Sequence, residues 1–127
     1  MPDFSLKKSE RLTGSKSISS LFQDGTSISS YPVRILFNTE GIGPKPASLA
    51  ISVPKRLFKR AVDRNLLKRR IREAYRLNKP QLYARLHSMQ IKANVVIQYQ
   101  QKEILDYQTI EAGVVKALEK MVSGLKA

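Results

Sequence analysis

Three stretches of the chain alternate apolar and polar residues with a period of two, and several others repeat apolar residues at steps of three and four. Val33, Ile35 and Phe37 alternate with Arg34, Leu36 and Asn38, the pattern of a half-buried strand. Residues 41–46, Gly-Ile-Gly-Pro-Lys-Pro, read as a turn. Beyond them Leu49, Ile51 and Val53 alternate with Ala50 and Ser52 up to Pro54, a second strand expected to form a hairpin with the first. A third strand is expected where Ala93, Val95, Ile97 and Tyr99 interleave with Asn94, Val96 and Gln98. It has few charges and apolar residues on both faces, which places it inside the sheet.

The helical periodicities frame these strands. From Ser15 or Ser17 as a candidate N-cap, Ile18, Leu21 and Phe22 recur at helical spacing until Asp24-Gly25, a short helix with a narrow apolar face. Residues 61 to about 78 contain no Gly or Pro and carry strong helix formers, and Pro80 is expected to break the helix there. A second short helix is expected from Pro80 to Ser88, with Leu82, Tyr83 and Leu86 facing inward. Tyr107, Ile110, Val114, Leu118, Met121 and Leu125 describe an amphipathic C-terminal helix. Residues 1–14 are expected to form a basic N-terminal arm and residues 15–127 a single domain.

Charge changes the picture most. The 127 residues carry 23 Lys and Arg against 10 Asp and Glu, a net +13, which calls for a polyanionic partner. Nucleic acid is the leading candidate and an anionic membrane surface the next. There is no cysteine and one histidine, so disulfides, thiolate nucleophiles and structural zinc are excluded. No apolar run approaches a membrane span and no apolar segment follows the first residues, so a cytoplasmic protein is expected, with neither a membrane nor a small molecule as partner.

The basic residues are not evenly spread. Residues 55–76 hold ten of them, Lys55, Arg56, Lys59, Arg60, Arg64, Lys68, Arg69, Arg70, Arg72 and Arg76, beside only Asp63 and Glu73. On a helical wheel Arg64, Asn65, Lys68, Arg69, Arg72 and Arg76 fall within roughly 140°, while Leu67, Ile71 and Ala74 form a separate core stripe. Arg70 and Glu73 point away from this ridge. Like charges at i, i+4 repel, so folding alone does not favour Arg64, Lys68 and Arg72 in a column. Arginine's planar fork suits phosphate, and Asn65 offers a donor and an acceptor to a 2′-hydroxyl or a base edge. A solvated surface helix or a membrane-lying helix would also be basic, but the latter needs large exposed apolar residues that this segment lacks.

The segment Arg64-Asn65, Lys68-Arg69, Arg72-Glu73 resembles the signature helix of the bacterial ribonuclease P protein component family: an Arg-Asn pair, Lys-Arg three residues after that Asn, and Arg-Glu three further on. The resemblance extends to Leu6-Lys7-Lys8 and Arg11-Leu12 in the arm, the helix ending in Phe22 and Gly25, and the strand closing on Val53 before Lys55-Arg56. The sequence departs from the usual pattern at Leu66, often basic in the family, and at Leu36, often aromatic.

The resemblance implies an α+β fold, a two-layer sandwich whose mixed central sheet is packed by helices, with a left-handed β-α-β crossover. It implies the protein subunit of a ribonucleoprotein endonuclease that removes the 5′ leader of precursor tRNA. The RNA subunit would perform the chemistry with Mg²⁺ bound mainly by itself and the substrate, and the protein alone would be non-catalytic. The partners so implied are the ribonuclease P catalytic RNA and precursor tRNA. Lys55, Arg56, Arg64, Asn65, Lys68, Arg69, Arg72 and Arg76 would contact the RNA. A cleft with Ile18, Phe22, Arg34 and Leu36 toward it would hold the single-stranded leader. Phe22 is equally suited to stacking a base or to packing in the core, and Arg34 could instead serve a surface salt bridge.

The residues themselves agree with a non-catalytic role, since no histidine pair or carboxylate cluster is visible and Asp3, Asp24, Asp63 and Asp106 are scattered. An RNA-binding or ribosome-associated protein without part in cleavage, a protein-only nuclease and a DNA-binding regulator are the other readings, the last lacking a helix-turn-helix pattern.

Overall fold

The most apolar strand does lie inside the sheet. In the computed structural model, which describes residues 10–12, 15–41 and 45–125, β4 is flanked on both sides in a four-stranded sheet. The elements in chain order are α1 (Ser15–Asp24), β1 (Thr26–Ser30), β2 (Val33–Asn38), β3 (Ala47–Ser52), α2 (Ala61–Ser88), β4 (Ala93–Tyr99) and α3 (Tyr107–Gly124), and the sheet order is β1-β2-β4-β3. The fold is α+β, as expected.

Two expectations about the sheet are corrected. β3 is not the hairpin partner of β2: it pairs parallel with β4, Leu49 opposite Val95 and Ile51 opposite Ile97, while β2 pairs antiparallel with the other side of β4. Alternation identifies a strand but not its neighbour, and β4, apolar on both faces, is the better-buried companion for both. The parallel pair is bridged by α2, giving a β-α-β crossover. β2 instead forms its hairpin with β1, which the Ser-rich Thr-Ser-Ile-Ser-Ser sequence had concealed. Only Ile28 of β1 packs against the core, so no alternation betrays the strand.

α2 corrects a third expectation, because it continues through Pro80 to Ser88 instead of ending before it. Proline in a helix interior loses one hydrogen bond and strains the preceding turn, at a cost of about 3 kcal/mol. Here the buried positions Leu67, Ile71, Ala74, Tyr75, Lys79, Leu82 and Leu86 form one uninterrupted stripe against the sheet and α3. Packing on both sides of Pro80 holds the two halves in line. The helix ends in a Schellman arrangement, with Gln90 at φ 57° and the Ile91 amide donating to Leu86 O.

The main core lies between one sheet face and α2 and α3. Val33, Ile35, Phe37, Leu49, Val95, Ile97 and Tyr99 meet Leu67, Ile71, Ile110, Val114 and Met121 there. Gly113 of α3 sits on the β1–β2 turn, where an added Cβ would stand 2.6 Å from Pro32 Cδ. The opposite sheet face carries a smaller cluster, Leu21, Leu36 and Val96, with Leu12, Ile18 and Ala50 against it, and this holds α1.

The described end of the N-terminal arm is already fastened to the domain. Leu12 N donates to Leu49 O, Arg11 bridges β3, and the buried Glu10 carboxylate meets Lys79 Nζ at 3.1 and 3.2 Å. Leu6, Lys7, Lys8 and the turn residues 42–44 lie outside the described residues, as do the side chains of the candidate caps Ser15 and Ser17.

Candidate RNA-binding surface

Residues paired across neighbouring strands share a face of the sheet. On the face occupied by α1 the register therefore produces three rows. The middle row, Leu36, Val96 and Ala50, is apolar and lies beneath Leu21 and Ile18. One flanking row runs Ser29, Arg34, Gln98, Ser52, and the other Asn38, Asn94, Ser48. Both flanking rows are polar. α1 thus covers the centre of this face and leaves polar margins beside it.

The first margin contains the aromatic. Phe22 is 39% exposed, so it is not core, and the Arg34 guanidinium stands over its ring at 5.9 Å. Arg34 Nε donates to Gln98 Oε1 at 2.8 Å; its partners are an amide and a ring, not a surface carboxylate. Leu36 is buried at 3%, so it secures α1 on the sheet and does not line open space, while Ile18 is half-buried against the same cluster. On the second margin Asn94 Nδ2 donates to Asn38 Oδ1 at 3.1 Å.

The first margin leads toward the basic segment. Its last member, Ser52, ends β3, and Lys55 and Arg56 follow three and four residues later in the exposed turn before α2. Asn65, Arg69 and Arg72 are exposed on α2, and Lys68 is half-exposed. Among the described residues Lys55, Arg56, Lys68, Arg69 and Arg72 have no hydrogen-bond or ion-pair partner.

Of the other cations of this region Lys59 is exposed, and Arg60, Arg64, Arg70 and Arg76 are engaged, Arg60 with Asp63. Arg64 Nη1 donates to Phe58 O at 2.8 Å and Lys59 O at 2.9 Å, closing the loop that enters α2, which has no side-chain N-cap. Arg76 is ion-paired with Glu73 through Nε and Nη2, so of the expected ridge it is the one whose charge is locally matched. Arg70 donates to Leu105 O and pins the segment before α3, consistent with its pointing away from the ridge. Tyr99 holds the same segment, donating to Glu103 O and accepting from Leu105 N, and burial raises its hydroxyl pKa.

The sequence reading did not single out Gln98, Ser52, Asn38 or Asn94. Each stands at a polar position of a strand, but the rows they form depend on β3 and β2 lying on either side of β4. The acidic residues are dispersed and mostly tied: Glu10 to Lys79, Glu73 to Arg76, Asp63 to Arg60, and Asp106 to the Thr109 amide as the N-cap of α3. Among the described residues there is no group of three or more His, Asp or Glu suited to a metal, and no helix is long and apolar enough to cross a membrane.

Comparison with known proteins agrees over nearly the full length. The family model described as Ribonuclease P matches residues 6–122. A ribonuclease P protein component of Porphyromonas gingivalis is 37% identical over 126 residues, covering 98% of this chain and 91% of that protein. The RNase P protein of Thermotoga maritima superposes with a TM-score of 0.69 at 24% identity, covering 93% of this chain and 99% of the other. A mutant Staphylococcus aureus RNase P protein gives 0.71 at 22% identity over 90% and 89%. These last two likenesses are of fold.

Proposed function

The chain belongs to the ribonuclease P protein family, and on that premise we propose that it is the protein subunit of a ribonucleoprotein that removes 5′ leaders from precursor tRNA. It binds the catalytic RNA through Lys55, Arg56, Asn65, Lys68, Arg69 and Arg72, with Arg64 set in place by the loop it closes and Arg76 contributing least. The leader lies along the polar margin of the sheet beside α1, where Phe22 offers a ring face and Arg34 its terminal N–H groups. The observation that carries this reading is the division of labour among the cations. Lys55 and Arg56 of the lead-in and Lys68, Arg69 and Arg72 of the ridge have no protein partner among the described residues, while Arg64 and Arg76 at the two ends of the ridge, and Arg70 directed away from it, are bonded within the fold.

An isolated column of like charges destabilises the free helix slightly, and RNA phosphates reverse the sign of that term. The protein's contribution is therefore to screen and position two RNA molecules against each other. Among the described residues the carboxylates are dispersed, with Glu10, Asp63, Glu73 and Asp106 bonded within the fold, a donor set that does not suit a magnesium ion held by this part of the protein. In this reading Mg²⁺ belongs to the catalytic RNA and substrate phosphates, and the protein alone cleaves nothing.

The test compares leader cleavage of precursor tRNA at near-physiological salt by a bacterial ribonuclease P RNA alone, the protein alone, and both together. Efficient cleavage at low Mg²⁺ by the combination only is the expected result. A protein that binds RNA yet leaves cleavage unchanged would instead be a plain RNA-binding protein, and cleavage by the protein alone would make it a nuclease in its own right.

A further inference from the structure

Two charged side chains are buried among the described residues, and they are bonded to each other. Glu10 and Lys79 are 2% and 1% exposed, and the Lys79 ammonium meets the two carboxylate oxygens at 3.1 and 3.2 Å. An apolar pair of similar volume would fasten the arm to α2 at least as strongly, because both charges lose their hydration on burial. What an ion pair adds is one fixed geometry, and the residue whose place it fixes is the next in the chain. Arg11 pairs with Leu49 at the edge of the sheet, and Leu12 N donates to Leu49 O. Leu12 packs into the cluster beneath α1, so Arg11, alternating with it and sharing the face of Leu49, turns to the side that carries α2. It is exposed, and among the described residues its guanidinium has no partner.

The helix on that side is the basic one. At about 100° per residue Lys68, Arg72 and Lys79 fall within roughly 40° of one another, so Lys79 continues the column that Lys68 and Arg72 begin. Since α2 joins two parallel strands, it runs back against β3, and Tyr83, near its end, donates to Ala47 O at the start of that strand. The arm runs parallel to β3, so the step from Glu10 to Arg11 leads away from Lys79 and toward Arg72. Glu10 covers the cationic column at Lys79, and Arg11 restores an exposed cation beside it.

We propose that Glu10 and Lys79 are positioning residues for RNA binding: their ion pair holds Arg11 at the β3 edge, in line with Lys68 and Arg72, where it takes a further backbone phosphate of the catalytic RNA. The inference rests on the ridge being the surface that binds this RNA, and it extends that surface from α2 onto the arm.

The experiment measures the affinity of the full chain for labelled catalytic RNA across a salt series. Arg11→Ala, which disturbs no buried group, should make the logarithmic salt slope shallower by about 0.9, one phosphate contact, or roughly 3.5-fold less loss of affinity between 50 and 200 mM salt. Lys116→Ala removes the same charge from exposed α3 and should stay within about 0.3 of the wild-type slope. Glu10→Ala combined with Lys79→Met removes both buried charges together, and thermal melting verifies that the variant is folded. It should lose hydrogen-exchange protection at the Leu12 amide and the same slope of about 0.9, after which adding Arg11→Ala should change nothing further. A merely structural role for the pair would lower the melting temperature and leave the contribution of Arg11 intact.

An Arg11→Ala slope equal to that of the wild type overturns the inference, as does a full Arg11 contribution in the protein lacking the pair. If Arg69→Ala with Arg72→Ala lowers the slope while Arg11→Ala does not, the ridge reading stands and this inference alone falls. If neither lowers it, the ridge reading falls first.

Discussion

The division between free and engaged cations makes a quantitative prediction about salt. Each phosphate neutralised by Lys or Arg releases counterions, so the logarithm of the association constant falls with the logarithm of salt concentration with a slope near −0.9 per contact on a duplex. Five unpartnered cations of the proposed interface, Lys55, Arg56, Lys68, Arg69 and Arg72, then contribute a slope of about −4.5, a loss of roughly 500-fold in affinity between 50 and 200 mM salt. Replacing Arg69 and Arg72 by alanine should leave about −2.7 and a loss of roughly 40-fold over the same range. Cations outside the ridge add equally to both proteins, so the difference of about 1.8 in slope is the quantity to read. Arg70→Ala is the internal comparison, one helical step from Arg69 but bonded to Leu105 O, and it should weaken folding while leaving the slope within about 0.3 of wild type. Fluorescence anisotropy with labelled catalytic RNA across a salt series supplies the slopes. An Arg70→Ala slope shallower than wild type by about 0.9, the value of one lost contact, or an unchanged slope in the double variant, would refute the assignment of free and engaged cations.

Further outcomes follow from the packing. Lys79→Met takes the ammonium away from the buried Glu10 carboxylate and should cost about 3–5 kcal/mol in urea unfolding, whereas Lys79→Met combined with Glu10→Leu should recover most of it. Gln90 holds a left-handed backbone that glycine adopts freely, so Gln90→Gly should raise stability by about 1 kcal/mol in the same assay; a decrease would mean that its side chain contributes to the fold. Burial raises the hydroxyl pKa of Tyr75 and Tyr83, and burial together with Glu111 raises Tyr107 to about 12. The folded state keeps these protons longer than the unfolded chain does. The stabilisation is complete below the usual tyrosine value and declines as pH rises past it, through about 12 for Tyr107, so alkaline unfolding should shift to higher pH in Tyr75→Phe.

Much of this protein is written in local pattern. The three strands with period-two alternation and the C-terminal helix follow from residue spacing, because a strand or helix must turn its apolar residues to one side wherever it packs. The ridge is equally local, since one helix sets its own wheel and ten basic residues in 22 positions cannot be hidden. Leu67, Ile71 and Ala74 are buried, as their spacing requires.

Other features depend on what lies next to each element. The partner of β3 is β4 and not β2, a choice among non-local pairings that alternation does not encode. β1 exists because β2 offers it an edge, and its serines carry no apolar signal. Pro80 remains helical because the stripe on both sides of it is buried together, a tertiary effect large enough to override a local break. The same holds at the candidate site. Lys55, Arg56, Lys68, Arg69 and Arg72 were legible as charge, but Arg64 and Arg76 carry the same side chain and differ only in the carbonyls and carboxylate within their reach. Gln98 gains its place beside Arg34 from strand order alone. Composition and periodicity determined three of the strands, the helices flanking them and the basic ridge, whereas tertiary structure decided the fourth strand and the run of α2 through Pro80, which strands are neighbours, which cations are free and which polar residues share a row, because hydrogen-bond partners are set by distance in space and not by spacing along the chain.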